Sequence, residues 1–368
     1  MIQARRVPGA RGLRSAWLPL LAVIFCLAAC AGLGLRAEPT AVSTAPDPCF
    51  NRLFTRTGGG WTGGDGTLSV PLGDGRTLWL FGDSFLGTVN PDGTRPEDTP
   101  LVRNCIVVQD GDVLTTRTAG SLSAPKAFFP PQAPGEWCWP ADATVENGRV
   151  RVILHRFCQG SPLLWDWQWT GTAVADLGLP ELEIERITPL AVSNGVMYAA
   201  ILEQAEATYL FGVEERNGVR LMHVARAPPG DLLGTWTFFD GKGWSADPVA
   251  TRPVLEGVST QFGVVDLADG LALVTMDNRV PFSADLVMYR ASAPQGPWHG
   301  PCRLYRAPEA GPAIVAYNPA IHPQFTASGR LLVSYNLNHV SEPAALYRNA
   351  AIYRPRFVRV NPAACPAP

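Results

Sequence analysis

Lysine is nearly missing from this chain of 368 residues: Lys126 and Lys242 are the only two, and arginine carries the rest of the positive charge. The formal net charge is -2. Without a basic excess, a nucleic acid or other polyanion is not an expected partner. Long helical periodicity is nearly absent after the N-terminus. No cysteine or histidine spacing resembles a zinc site. There is no nucleophile elbow, phosphate-binding loop or paired-histidine metalloprotease motif either. No cofactor or metal is therefore expected, and a structural calcium is left open.

What the chain does contain is turn residues and tryptophan, with 36 Gly, 34 Pro and 11 Trp spread along it. Many short strands joined by regular turns fit that composition best. The start reads as a targeting segment. Arg5, Arg6, Arg11 and Arg14 precede an uncharged apolar run from Trp17 to Ala29, which ends in Leu27, Ala28, Ala29 and Cys30. That ending looks like a bacterial lipobox, with Cys30 as the lipidated residue. Cleavage near Ala37 and an uncleaved anchor helix are the alternatives; each of the three exports the domain. The division expected is a lipoprotein signal peptide over 1–30, a flexible tether over 31–47 and one domain over 48–368, anchored to the membrane by its lipid or secreted. With Cys26 removed and Cys30 lipidated, six cysteines remain, an even number in an oxidising compartment. Six thiols permit 15 connectivities. Cys138–Cys158 flank one expected hairpin, Cys302–Cys365 lie near the end, and Cys49–Cys105 follow by elimination.

The chemistry points to Gly63–Phe85. Gly73, Asp74 and Gly75 form a strong hairpin signal between two alternating apolar runs. Asp65 lies nine positions before Asp74 and Asp83 nine after it. Equal steps from the turn bring both carboxylates to the open end of an antiparallel pair, the minimum equipment of a glycoside hydrolase. The bland alternative is two turn acids at strand ends. A glycine turn followed by an apolar strand with a polar end recurs at Gly75–Asp83, Gly148–Arg156, Gly270–Asn278 and Gly329–Asn336. A further copy falls at Gly195–Glu203 or at Thr208–Glu214. Met222 to Trp236 and Met288 to Trp298 form a second recurrence. Repeats of this kind, each with about four strands, suggest an all-β, five-bladed β-propeller. Phe50–Thr55 is the expected outer strand of the last blade, and a two-sheet sandwich is the structural runner-up. Corresponding strand ends would then bring Asp83, His155, Asp277 and Asn336 around one pocket.

Several segments resemble a family of exported bacterial five-bladed propellers long labelled a domain of unknown function. They are Trp61–Thr67, Leu78–Phe85, Arg103–Asn104, Trp139–Asp142, Gly296–Trp298, Tyr317–Pro323 and Ser334–Asn336. Some members of that family are endo-D-arabinanases. The resemblance, over about Cys49 to Pro362, implies a glycosidase-like architecture and catalytic carboxylates in the segments holding Asp65 and Asp83. Gln261 departs from it, standing where an acidic residue is expected.

One carboxyl of a glycosidase pair must stay protonated and the other ionised. Asp65 is read as the base and Asp83 as the acid, with the roles interchangeable. Asp142 is a candidate to tune them or to bind a sugar hydroxyl, and Glu203 is a further acid of uncertain place. His155 and His322 are candidate hydroxyl ligands, against the usual reading of a hydrogen-bonded core histidine. Asn104, Asn318 and Asn336 are candidates for sugar contacts or for strand-end backbone groups. Trp61 and Trp139 are candidate stacking surfaces. Trp165, Trp167 and Trp169 alternate and share a face, which reads as packing between blades. The function expected is a monomeric glycosidase acting on a cell-envelope or environmental polysaccharide. The alternative is a glycan-binding surface lipoprotein without turnover.

Overall fold

The computed structural model describes residues 44–163 and 165–368. The targeting segment, Cys30 and most of the tether lie outside these residues. The described chain is all-β. Helix is confined there to Pro48–Leu53, Ala345–Arg348 and three short 3-10 turns.

Five antiparallel sheets of four or more strands follow one another along the chain. Sheet I takes Leu68–Pro71, Thr77–Phe81, Cys105–Asp110 and Val113–Arg117. Sheet II takes Glu136–Glu146, Arg149–Gln159, Trp167–Gly178 and Glu183–Pro189. Sheet III is built on Met197–Glu203, Thr208–Arg216 and Val219–Ala227, with short strands beyond. Sheet IV takes Gly263–Leu267, Gly270–Met276, Asp285–Ala291 and His299–Arg306. Sheet V joins Ile314–Ala327, Arg330–His339 and Arg356–Val360 to the N-terminal pair Ala45–Pro46. The recurrent glycine-led segments are the second strands of sheets I, II, IV and V. In sheet III that slot belongs to Thr208–Arg216, while Met197–Glu203 is the first strand.

The first strand of each sheet touches the first strand of the next, and that of sheet V touches that of sheet I. Between neighbouring sheets lie hydrophobic cores. Leu80 and Ile106 of sheet I meet Val152 and Leu154 of sheet II. Ile153 and Val174 then meet Tyr198 and Leu210. Phe211 and Met222 meet Leu273, Val274 and Met288 meet Leu331 and Val333, and Leu332 and Phe357 meet Trp79 and Phe81. Strand alternation makes this possible, because both faces of each sheet are apolar and each needs cover.

Two sequence expectations are corrected here. Phe50–Thr55 is not the outer strand of sheet V; Ala45–Pro46 pairs there instead. Asp47 accepts a bond from Phe50 N at 2.9 Å and Pro48 opens the helix, so the chain coils where a strand was expected. Phe50 and Phe54 then pack onto Trp79 and Phe357. Of the expected disulfides, Cys302–Cys365 forms and ties sheet IV to the C-terminal segment. Cys138 and Cys158 are free thiols, because the register sets Cys138 opposite Arg156 and Cys158 opposite Glu136. Cys49 is exposed whereas Cys105 is buried in sheet I, and they too are unbonded.

His322 bridges sheets I and V. Its Nδ1 lies 2.7 Å from Ser69 Oγ and its Nε2 2.9 Å from Ser334 Oγ. Burial holds its pKa down at about 3, below the usual 6.5. A depressed histidine stabilises the fold fully above pH 6.5, and that contribution is lost as pH falls towards 3. His322→Gln should therefore be less stable than wild type in urea unfolding at pH 7.5, with the gap narrowing by roughly 2 kcal/mol at pH 5. A gap that does not change with pH contradicts a neutral, buried imidazole.

Candidate active site

The turn at Gly73–Gly75 sets a register in which Leu68 faces Leu80 and Pro71 faces Thr77. Continued outward, the same register sets Asp65 against Asp83. Their backbones join there, Asp65 N donating to Asp83 O at 3.2 Å and Gly82 N to Asp65 O at 2.8 Å. Gly82 has to be glycine: a Cβ would stand 2.7 Å from Asp65 Oδ1 and 3.4 Å from Trp139 Cδ1. Gly66, at φ +63°, turns the chain immediately after Asp65. Asn336, fully buried, braces this turn from below through Thr67 Oγ1 at 2.9 Å and Gly64 O at 3.3 Å.

The two carboxyls have unequal surroundings. Tyr317 Oη donates to Asp65 Oδ2 at 2.6 Å, and Tyr353 also reaches Asp65. Desolvation, followed by the charge of Asp83, pushes Asp65 up to about 7 in spite of these donors. Asp83 is raised by burial too, but Arg103 and Trp139 oppose that. Arg103 Nη1 lies 2.9 Å from Asp83 Oδ2, and Trp139 Nε1 donates to Oδ1 at 2.9 Å. Arg103 itself lies over the ring of Trp137, 4.3 Å from its centroid. Near neutral pH the pair thus shares a proton that favours Asp65, and Asp83 is the better anion.

Both acids open into a cavity of about 950 Å³ lined by strands of sheets II, III and V and by the segments that flank sheets I and IV. It sits where first strands begin and second strands end. Three first strands carry a register irregularity there, at Pro140/Asp142, Tyr198/Ala200 and Tyr317/Ala320, which brings Ala141, Ala199 and Asn318 to the wall. One wall is aromatic. Trp139 packs on Phe157 at 4.8 Å and on Trp167 at 4.9 Å, and Trp167 on Trp165 at 5.1 Å. Indole faces of this kind accept the apolar face of a sugar ring.

Of the residues singled out in the sequence, Asp65, Asp83, Trp139, His155 and Asn318 line the cavity. His155 donates through Nε2 to Tyr198 O at 2.8 Å, and burial lowers its pKa to about 4, so it is neutral. The others lie elsewhere. Trp61 is fully buried in the sheet I and V core beside Phe54 and Phe81. Asn104 is spent on the backbone of Phe129 and Cys138. Asp142, just past a bulge, reaches Ile201 N at 2.6 Å in sheet III and Ala143 N at 2.8 Å; burial pushes it to about 7. His322 and Asn336 are sealed in the core. Glu203 is exposed and holds Thr144 and Thr208, and Asp277 pairs with Arg279. The expected circle of Asp83, His155, Asp277 and Asn336 is therefore reduced to Asp83 and His155.

Arg103 and Tyr317 fall in segments that carry the family resemblance but receive no role from the sequence, Tyr353 goes unnoticed, and the tryptophan stripe reads as packing between sheets. Trp165 and Trp167 instead face the cavity. Gln261 lies at its floor, with its Oε1 3.7 Å from a Cβ built on Gly66. Among the described residues, no group of three or more His, Cys, Asp or Glu is placed to hold a metal ion.

This is a strand-built scaffold holding an unequal carboxyl pair at the floor of an aromatic-walled cavity. The chain belongs to the family described as a domain of unknown function, DUF5005, whose model matches residues 47–362. A comparison with curated proteins finds no match. Among solved structures, it is similar to a Bacteroides ovatus protein described as a putative hydrolase. That pair is 23% identical, with 86% of this chain and 90% of the other covered and a TM-score of 0.74, which establishes a shared fold. An endo-arabinase from Bacteroides thetaiotaomicron is more distant, at 13% identity, 83% and 97% coverage and a TM-score of 0.48. So is a GH43_1 enzyme from Xanthomonas citri complexed with xylotriose, at 14%, 87% and 89%, and 0.46. At that distance neither bears on function.

If burial and Asp83 together raise Asp65, then Asp83→Asn should lower the Asp65 pKa from about 7. Carboxyl-carbon NMR titration reads this directly, and the expected fall is on the order of one unit. No change on removing the Asp83 charge contradicts the coupling.

Proposed function

We propose that the protein is a glycoside hydrolase acting on a polysaccharide, built as a five-bladed β-propeller. The cyclic order of contacts among the five first strands supports the propeller, and Ala45–Pro46 beside Arg356–Val360 would join the two ends of the chain in one blade. The observation that carries the catalytic reading is a pair of buried carboxyls with unequal partners, Tyr317 on Asp65 and Arg103 with Trp139 on Asp83, in one aromatic-walled cavity.

The surroundings favour Asp65 as the acid and Asp83 as the base or nucleophile, the reverse of the first assignment from sequence. Asp65 gives its proton to the glycosidic oxygen as that bond breaks. Asp83, whose charge Arg103 and Trp139 favour against burial, either takes a proton from the attacking water or attacks the anomeric carbon itself. In both cases one water is consumed: its hydroxyl ends on the anomeric carbon and a proton on the departing sugar. His155, neutral, and the Asn318 backbone turn offer hydrogen bonds to sugar hydroxyls, and Trp139 and Trp167 offer stacking faces. Resemblance to arabinanases makes arabinans the first substrates to test, with the cell envelope or the environment as the source. The targeting segment, Cys30 and the Cys302–Cys365 bridge support export, with a lipid anchor as the tether. A second reading is a glycan-binding surface lipoprotein without turnover; Gln261, where an acid is expected, is what favours it.

Reducing-end release from arabinan, arabinogalactan, xylan and galactan separates these. Asp65→Asn and Asp83→Asn should each cut turnover by about 10²–10⁴. The rate of the wild type should fall above pH 7 as Asp65 loses its proton, and fall in acid as Asp83 gains one. Binding without release, or unchanged turnover in either variant, overturns the assignment.

A further inference from the structure

A buried acid that gives up its proton leaves a buried charge, and donors must already be in place where that charge forms. At Asp65 they are phenols. Tyr317 Oη donates to Oδ2 at 2.6 Å, and Tyr353 reaches the same carboxyl. Burial, and next the charge of Asp65, holds both hydroxyls well above their usual range, so both stay protonated while Asp65 titrates. The titratable groups that meet Asp65 are Asp83 from the same hairpin, Tyr317 from sheet V and Tyr353 from the segment before Arg356–Val360. Arg103 pairs with Asp83.

Both phenols are aimed by neighbours. Asn338 Oδ1 accepts His339 N at 2.8 Å, which leaves the amide nitrogen towards Tyr317 Oη, 3.4 Å away. A phenol oxygen that accepts from Asn338 has one hydrogen to give, and it goes to Asp65. Tyr353 ends the turn Ala350–Tyr353, and two buried arginines fasten that part of the chain. Arg95 Nη1 donates to Thr62 Oγ1 at 2.7 Å, its Nη2 to Thr62 O at 3.2 Å and its Nε to Leu346 O at 3.3 Å. Arg354 Nε donates to Thr62 O at 2.9 Å. Thr62 stands three residues ahead of Asp65, so the same carbonyl anchors the acid's strand and the residue next to Tyr353. Two charges are buried against carbonyls here, and what they hold together is the Tyr353–Asp65 contact.

Resting on the hydrolase reading above, we propose that Tyr317 and Tyr353 are positioning residues for proton delivery by Asp65. As the Asp65 O–H bond breaks, a new O–H bond forms on the glycosidic oxygen. The electron pair stays on the carboxylate, where the two phenols stabilise it with hydrogen bonds. Asp65 is thereby a stronger acid towards a leaving sugar that needs a proton.

The test uses the full domain. Tyr317→Phe and Tyr353→Phe keep the rings and remove the donors. Asn338→Ala leaves both phenols in place and frees the Tyr317 hydroxyl to turn away, which guards against a poorly folded tyrosine variant. Carboxyl-carbon NMR titration reads Asp65 without any substrate. Its pKa should rise above about 7 in all three variants, by on the order of one unit for each tyrosine, because the lost donors favoured the ionised form. Turnover is then compared on arabinan, xylan and galactan and on para-nitrophenyl oligosides of the same sugars, whose nitrophenolate departs without protonation. Each tyrosine variant should lose about tenfold more on the polysaccharide than on the aryl glycoside, the worth of one hydrogen bond. The alkaline limb of its rate profile on polysaccharide should move to higher pH. An Asp65 titration that stays in place in both tyrosine variants overturns the proposal, as do equal losses on the two kinds of substrate; either leaves the hydrolase reading intact. A shift of the acid limb in place of the alkaline one makes Asp65 the base and overturns the proposal as well. Absence of release from every substrate by the wild type overturns both.

Discussion

Two buried carboxyls meet at one end of a cavity, and that single constraint organises the rest of the site. Neither aspartate can ionise independently. Burial raises both, and Arg103 with the Trp139 indole biases the remaining charge towards Asp83. The arrangement is costly to the fold, because a raised carboxyl stabilises the folded state in acid and ceases to do so as pH climbs through its pKa. The surrounding braces make sense against that cost: Asn336 under the turn, Tyr317 on Asp65, and a glycine at 82 whose missing side chain leaves room for the carboxylate.

The sheet I hairpin sets the position of this pair, and strands of sheets II, III and V, with Thr260 and Gln261 ahead of sheet IV, supply the rest of the wall. Their cores lie between sheets, so the first-strand ends are free to carry function. Irregular register at Ala141, Ala199 and Asn318 turns backbone and small side chains into the cavity without disturbing the apolar layers beneath. Sheet II contributes most of the aromatic surface. Sheet V contributes Tyr317 and the loop that meets Trp165. The acids at the open end of the sheet I hairpin are thus flanked on both sides by elements that hold them.

Much of this was legible in the sequence, and the reasons differ by residue. The hairpin around Asp74 was readable because a two-period strand with a glycine turn has one register, which fixes where Asp65 and Asp83 fall. The recurrence of glycine-led strands located the second strands for the same reason. Asp142 was misplaced because a bulge of one residue reverses strand alternation, and bulges leave no clear mark in composition. Trp61, Asn104, His322 and Asn336 carry sugar-binding chemistry but spend it on backbone and hydroxyl partners that only the packed fold brings near. Arg103, Tyr317 and Tyr353 reach the acids from distant parts of the chain, so local pattern could not group them. The Asp47–Pro48 pair was a helix-start signal that the apolar run after it concealed.

The roles assigned to the pair rest on where a sugar lies relative to them. A structure of Asp65→Asn bound to an arabino-oligosaccharide tests this most directly. A glycosidic oxygen within hydrogen-bond reach of residue 65, with the anomeric carbon on the Asp83 side and a ring stacked on Trp139 or Trp167, is the predicted result. A sugar bound outside the cavity, or one whose glycosidic bond lies away from both residues, would contradict it.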